Sequence, residues 1–166
     1  MYHKDMRTSE DRAFALLRIV FGCVWAVDAY FKWQPAFIGN FTSYLTNAVP
    51  GQPALVQAWI SLWVKGVGVD PHLFAIIVAL GETAIAFGLI FGFLTKGAHL
   101  GGMAMSLVIW STAEGFGGPY MAGSTDIGAA IIYFLLHVAL WLGKSWRCYS
   151  IDAWLKHRYS FSLGRW

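Results

Sequence analysis

Ionisable side chains inside apolar stretches are the residues of this sequence whose types and spacing could support chemistry. A charged side chain in a membrane is costly, so it normally faces the interior of a helix bundle and finds a partner there. Carboxylates, histidine and tyrosine at such positions can relay protons, and arginine or lysine can hold an anionic or carbonyl group. The candidates are Arg18, Asp28, Lys32, Glu82, Glu114, Asp126, Tyr133 and His137.

Helical phase places these residues on two polar stripes. At 100° per residue, Asp126, Tyr133 and His137 lie within about 40° of one another on the last apolar segment. Arg18 and Lys32 differ by about 40° on the first segment. Two aligned stripes predict that these side chains face one bundle interior.

Depth along the helices divides the candidates into two layers. We expect an inner hydrogen-bonded network of Arg18, Glu82, Tyr133 and His137. The outer layer consists of Asp28, Lys32, Glu114 and Asp126, in which Asp28 and Lys32 are four residues apart and can pair.

Each candidate also has a structural interpretation. Arg18 and Glu82 can form an ion pair that fixes helix register, and His137 can be a satisfied core histidine. Asp126 follows Ser124 and Thr125 (STD), and a carboxylate at a helix start is stabilising. Glu114 follows a helix, where the dipole disfavours negative charge, so it is the candidate that structure explains least.

The composition indicates an integral membrane protein. Of 166 residues, 57% are hydrophobic and 13% charged, whereas a soluble domain has about 25% charged residues. Four segments are apolar enough to span a bilayer: 13–31, 73–94, 98–113 and 127–142. The fold class predicted is an all-α, four-transmembrane-helix bundle in one domain, 1–166. The third and fourth segments are short, so we expect each to extend into the connector between them.

Basic residues determine the expected orientation. They concentrate near both termini and at Lys96, whereas the opposite side has only Lys32 and Lys65. Cytoplasmic loops carry the excess of Lys and Arg, so we expect a prokaryotic cytoplasmic (inner) membrane protein with both termini cytoplasmic. The tail 147–166 is expected to be amphipathic and to contact lipid headgroups, not nucleic acid.

The 32–72 segment is too long and too apolar for a plain loop. Leu55, Trp59, Leu62 and Trp63 have helical spacing, which predicts an amphipathic helix on the outer membrane interface. That helix can be a lid over a site or a surface anchor, and the sequence leaves both open.

The candidate residues suit a quinone better than several other ligands. The sequence has no recognisable metal site, nucleotide loop or Ser/His/Asp set. Quinone carbonyls need hydrogen-bond donors, and quinone reduction consumes protons that carboxylates or histidine can deliver. The same groups could bind a small ion or a lipid, so residue spacing alone keeps those alternatives open.

Three stretches resemble the DoxD/DoxX family. They are LLRIVFGCVWAVDAYFKW, GETAIAFGLIFGFLTKGA and EGFGGPYMAGSTDIGAAIIYFLLHVAL, and the resemblance covers about residues 12–143. DoxD is the small four-span subunit of thiosulfate:quinone oxidoreductase in sulfur-oxidising microbes. In that enzyme thiosulfate is oxidised to tetrathionate outside the cytoplasmic membrane and electrons pass to quinone.

The resemblance also implies roles for individual residues. Arg18 and Lys32 match polar positions of the family's first span, and Glu82 matches the acid of its second. The outer loop motif is matched by Glu114, the glycines through Gly118, Pro119, Tyr120, Asp126 and Gly128. The enzyme has a second subunit, DoxA, and no segment of this chain would replace it.

The leading hypothesis is a quinone-interacting membrane subunit of a sulfur-compound oxidoreductase. Its expected catalytic residues are Glu114, Asp126, Tyr133 and His137, and its expected cofactor-binding residues are Arg18, Asp28, Lys32 and Glu82. The alternative is a non-catalytic anchor or assembly subunit of a larger membrane complex. A transporter is a weaker alternative because the sequence has no inverted repeat or broken helix.

Overall fold

A computed structural model describes residues 9–159, and every regular element in that range is a helix. This confirms the all-α prediction. The helices are α1 Ser9–Lys32, α2 Pro35–Gly39, α3 Phe41–Thr46, α4 Ala54–Val67, α5 Pro71–Phe91, α6 Thr95–Ser111, α7 Ala129–Leu142 and α8 Ile151–Tyr159, with single 3₁₀ turns at Gly115–Gly117 and Ser145–Arg147.

Helices α1, α5, α6 and α7 form the body of the protein. α1 packs along α5, α5 packs against α6, and α6 packs against α7. By length and composition, α1 and α5 are each able to cross a membrane, while α7 is a shorter apolar helix.

The expected extension of the third and fourth segments is wrong. α6 ends at Ser111 and α7 begins at Ala129. Gly115, Gly117 and Gly128 all have positive φ, a conformation that interrupts a right-handed helix. The connector therefore stays a loop.

The interior between α1, α5 and α7 is aromatic and closely packed. Its buried residues include Phe21, Trp25, Ile85 and Leu89. At Gly22 a Cβ atom would lie 2.9 Å from the backbone nitrogen of Ile90, so α1 and α5 approach as closely as small residues allow.

A second core lies where α2, α3 and α4 pack on α5. It contains the buried residues Phe37, Phe41, Leu45, Ile60, Val67 and Ala75. The predicted α4 helix is present, and of its predicted interfacial stripe Trp63 packs on this core while Leu55 and Leu62 stay exposed. Leu55 and Leu62 are 86% and 62% exposed, whereas Ile60 and Val67 are buried. The helix is apolar on two faces, so periodicity could not choose between them.

The tail is fixed to the body by a carboxylate. Asp152 in the first turn of α8 accepts the backbone N–H groups of Leu94 (2.9 Å) and Thr95 (2.8 Å). These donors belong to the start of α6, where such groups lack helical partners. Of the predicted tail, residues 160–166 lie outside the described range.

Candidate functional site

Two buried histidines meet between α6 and α7. His99 and His137 are both fully buried, and their Nδ1 atoms are 3.1 Å apart. The Nε2 atom of His99 lies 2.9 Å from the hydroxyl oxygen of Ser145, which follows the end of α7. The two rings and the hydroxyl therefore form a continuous hydrogen-bonded chain.

The His137 ring packs against two aromatic rings and a glycine. Its centroid is 4.8 Å from that of Phe21 and 5.6 Å from that of Trp25. On α6, a Cβ atom at Gly102 would overlap His137 Nε2. Glycine at 102 is thus the residue that leaves room for the imidazole.

Several buried polar atoms in the same interior as this hydrogen-bonded chain have no hydrogen-bond partner among residues 9–159. They include Trp25 Nε1, Ser106 Oγ and His137 Nε2, which lie on α1, α6 and α7. Ser106 is one turn along α6 from Gly102, on the same face. Buried polar atoms are usually satisfied, so these atoms would need an ordered water or a ligand as a partner.

A second polar cluster lies near the other end of α1. Lys32 Nζ is 3.5 Å from Glu82 Oε1, with the lysine side chain 24% exposed and the glutamate 2%. The ammonium also lies 5.3 Å from the centre of the Phe37 ring. The side chain of Asp28 lies near that of Tyr133 on α7, and the Tyr133 ring packs on Trp25 at 5.5 Å.

These contacts correct the expected pairing. Lys32 is paired with Glu82 and not with Asp28, so the proposed Arg18–Glu82 ion pair is wrong. The reason is how α1 and α5 pack: Lys32 lies beside Glu82, whereas Arg18 lies beside Leu89, about two turns further along α5. The expected inner network is divided into separate contacts, and only Tyr133 and His137 share an aromatic wall, Phe21 and Trp25.

Arg18 binds backbone carbonyl oxygens. The buried guanidinium donates to the oxygens of Leu89 (2.9 Å), Ser145 (2.8 Å), Cys148 (3.4 Å) and Tyr149 (2.6 Å). Carbonyls at helix ends lack helical donors and carry partial negative charge. Arg18 therefore joins the end of α5 to the segment between α7 and α8.

Glu114 has a structural partner, contrary to expectation. Both of its carboxylate oxygens accept the backbone N–H of Ala130, at 3.2 and 3.0 Å. Ala130 is the second residue of α7, where unpaired N–H groups and the positive end of the dipole favour a carboxylate. Glu114 caps the helix after the loop, not the helix before it.

Asp126 is not part of the polar stripe. It lies in the loop before α7 and is exposed, and its Oδ1 accepts the N–H of Gly128 at 2.8 Å. The stripe contains Tyr133 and His137 alone because α7 starts three residues after Asp126.

His99 was missed by the sequence analysis. It lies in the predicted third apolar segment, and a histidine there is as unusual as His137 in the fourth. His99, Gly102 and Ser106 also share one helical face. Among the described residues, no group of three or more His, Cys, Asp or Glu side chains is arranged to hold a metal ion.

Comparison with known proteins gives one match. The family model named DoxX matches residues 13–115, which is more than half of the chain and includes Arg18, Lys32, Glu82 and His99. The matched range stops before α7. No curated protein and no solved structure matches the chain. The residues matched are sufficient to show that the chain belongs to the DoxX family, as a membrane protein.

Proposed function

We propose that this protein is the quinone-interacting membrane subunit of a sulfur-compound (thiosulfate-type) oxidoreductase, which passes electrons from an outer-side donor to membrane quinone. The observation that carries the proposal is the set of buried polar atoms without partners, Trp25 Nε1, Ser106 Oγ and His137 Nε2. Trp25 and His137 lie beside the rings of Phe21 and Tyr133, and Ser106 lies one turn along α6 from Gly102, which contacts His137. Aromatic walls with a few polar atoms are the surroundings expected of a site for an apolar ring with polar atoms.

The donor chemistry of this set fits a quinone. An indole N–H can only donate, a serine hydroxyl can donate or accept, and a neutral imidazole nitrogen does either according to its tautomer. A bound quinone would supply an acceptor of two electrons and two protons. Trp25 and Ser106 would orient its carbonyl oxygens, and the rings of Phe21 and Tyr133 would exclude water from the same interior.

Proton delivery would use the groups next to this set. Tyr133 packs on Trp25 and lies near Asp28, while Glu82 keeps one buried oxygen, Oε2, without a partner in the described range. The catalytic roles predicted for Glu114 and Asp126 stay predictions, and each of these carboxylates has a structural contact besides.

The electron donor is better placed on a partner subunit than on this chain. Thiosulfate is an anion, and Lys32, one of two candidate cations on the expected outer side, is already paired with Glu82. Lys65 is the other and is exposed on α4. We therefore propose that a partner binds the donor.

The membrane arrangement that accompanies this function has four spans. α6 has 17 residues and α7 has 14, about 26 and 21 Å at 1.5 Å per residue. Both expose large apolar side chains, among them Leu100, Leu107, Ile132 and Leu135. We propose that both cross the prokaryotic cytoplasmic membrane beside α1 and α5, with the two termini in the cytoplasm.

Direct binding tests the proposal. The protein in lipid nanodiscs is titrated with a short-chain benzoquinone, and saturable binding is expected. Trp25→Phe and Ser106→Ala each remove one donor, and a hydrogen bond contributes about 0.5–1.5 kcal/mol, so binding should weaken about two- to tenfold. Trp59→Phe, on the exposed face of α4, is the matched control. Absence of saturable binding, or equal loss in the control, would reject the quinone site.

The second candidate is an anchor or assembly subunit. It is favoured by the structural contacts of Arg18, Glu114 and Asp152, which bind backbone groups at helix ends. Mild extraction from native membranes, with mass spectrometry of co-purifying subunits and quinone, separates the two functions. Partner subunits without quinone, together with unchanged turnover in His137→Gln, would favour the anchor.

A further inference from the structure

The hydrogen bonds that join His137, His99 and Ser145 run through the buried interior of the bundle. One end of the chain, His137 Nε2, is buried and has no partner among the described residues. The other end, Ser145 Oγ, follows α7 at the end of the bundle where the α5–α6 turn and α8 lie. The chain therefore runs from the polar interior toward one end of the helices.

The contact between the rings restricts their protonation. Two nitrogens 3.1 Å apart need one hydrogen between them, and two Nδ1–H groups would point at each other. A neutral pair consequently has one ring with its hydrogen on Nδ1 and one with its hydrogen on Nε2. Two such arrangements exist, and they differ in the direction of every hydrogen bond in the chain.

We propose that His137, His99 and Ser145 form a proton relay between the end of the bundle near α8 and the interior beside Trp25. The relay rests on the proposed function for its proton acceptor, and it deepens that function by assigning the side from which protons come. Under the proposed orientation, this side is the cytoplasm.

The transfer balances with neutral rings before and after. At the start, Ser145 O–H donates to His99 Nε2, His99 Nδ1–H donates to His137 Nδ1, and His137 holds its hydrogen on Nε2. The Nε2 proton of His137 passes to an acceptor in the interior. The Nδ1 proton of His99 then moves to His137 Nδ1 and the Ser145 proton moves to His99 Nε2. Ser145, whose side chain is buried, takes a proton from a water molecule that reaches it from the end of the bundle near α8. One proton enters, one leaves, and both tautomers are reversed.

Arg18 positions the entry point of the relay. Its guanidinium donates to the carbonyl oxygen of Ser145 at 2.8 Å, so the backbone of the serine is held in place beside His99. At the other end, His137 Nε2 lies against Gly102, where only a residue without a side chain leaves room for the ring. Contacts with the backbone thus fix the position of both ends.

The tautomers can be measured without any enzymatic turnover. We would record ¹⁵N spectra of histidine-labelled protein in bilayers, assigning the pair with His99→Gln and His137→Gln. The expected result is one Nδ1–H ring and one Nε2–H ring with a coupling between the two Nδ1 nuclei. Two Nε2–H rings without coupling would overturn the relay.

Turnover of the whole complex in native membrane vesicles tests the transfer itself. His99→Ala should lower kcat at least tenfold while quinone affinity is unchanged, and added imidazole should restore part of the rate. His72→Ala, at the exposed start of α5, is the control. If His99→Ala kept the wild-type kcat and still bound quinone, the relay would be rejected but the proposed function would not. Failure of the wild type to bind quinone would reject the proposed function instead, whatever the tautomers.

Discussion

The carboxylate of Glu114 accepts the backbone N–H of Ala130 through both oxygens, at 3.2 and 3.0 Å. A residue at the end of one segment thus caps the start of the next, across the glycine-rich loop. The contact holds α6 and α7 in register at the end of the bundle opposite to Arg18.

Replacement of Glu114 should separate capping from chemistry. Glu114→Ala removes the acceptor and should lower the stability by about 0.5–2 kcal/mol, as loss of a helix cap does. Glu114→Gln keeps a carbonyl acceptor and should lower the stability by a smaller amount. Thermal unfolding followed by circular dichroism in detergent measures both, and equal melting temperatures for the two variants would contradict the capping role.

Two adjacent glycines of α6 should respond oppositely to alanine. At Gly102 a Cβ atom overlaps the His137 ring, whereas at Gly101 the nearest atom is Ile85 Cγ1 at 3.9 Å. Gly102→Ala should destabilise by about 1–3 kcal/mol through overpacking. Gly101→Ala should be neutral or stabilise by up to about 1 kcal/mol, because alanine favours a helix. Comparable unfolding temperatures would mean that the ring does not occupy this position.

Removing Lys32 should destabilise the protein more than removing the charge of its partner Glu82. Lys32→Met leaves a buried carboxylate without its cation, at a cost of about 3–5 kcal/mol. Glu82→Gln should lower the free energy of unfolding less, because the lysine is partly exposed and can reach solvent. The double variant should therefore resemble Glu82→Gln. Chemical unfolding of all four proteins gives the coupling energy, and additive losses would show that the pair is not formed. Lys65→Met serves as the exposed control.

Arg18 should not tolerate lysine. A guanidinium binds several oxygens in a fixed geometry and an ammonium does not, so Arg18→Lys should leave carbonyls of the 145–149 segment without donors, at about 1–3 kcal/mol each. We expect faster proteolysis between α7 and α8 and a lower melting temperature. Arg12→Lys, at an exposed position of the same helix, should change neither. An intact, protease-resistant Arg18→Lys protein would refute the assignment.

The sequence was sufficient for the class of the protein and for its longest helices. Apolar segments 13–31 and 73–94 correspond closely to α1 and α5, because helix formation depends on a local periodicity. It was not sufficient for the packing of α4. Leu55, Trp59, Leu62 and Trp63 predicted the helix, but its buried residues Ile60 and Val67 lie on a second apolar face that this pattern did not indicate. When a helix is apolar on both sides, only the neighbour it packs against decides which side is buried.

Sequence by itself therefore determined that polar side chains lie inside an apolar helical protein of the DoxX type. The tertiary structure decided what each of them binds. Arg18 and Glu114 bind backbone groups at helix ends, and His137 binds a histidine on another helix. Every helix has unpaired backbone groups whatever its residues, and the rotation of one helix against another is not a local property. For these reasons the partners could be found only once the helices were packed together.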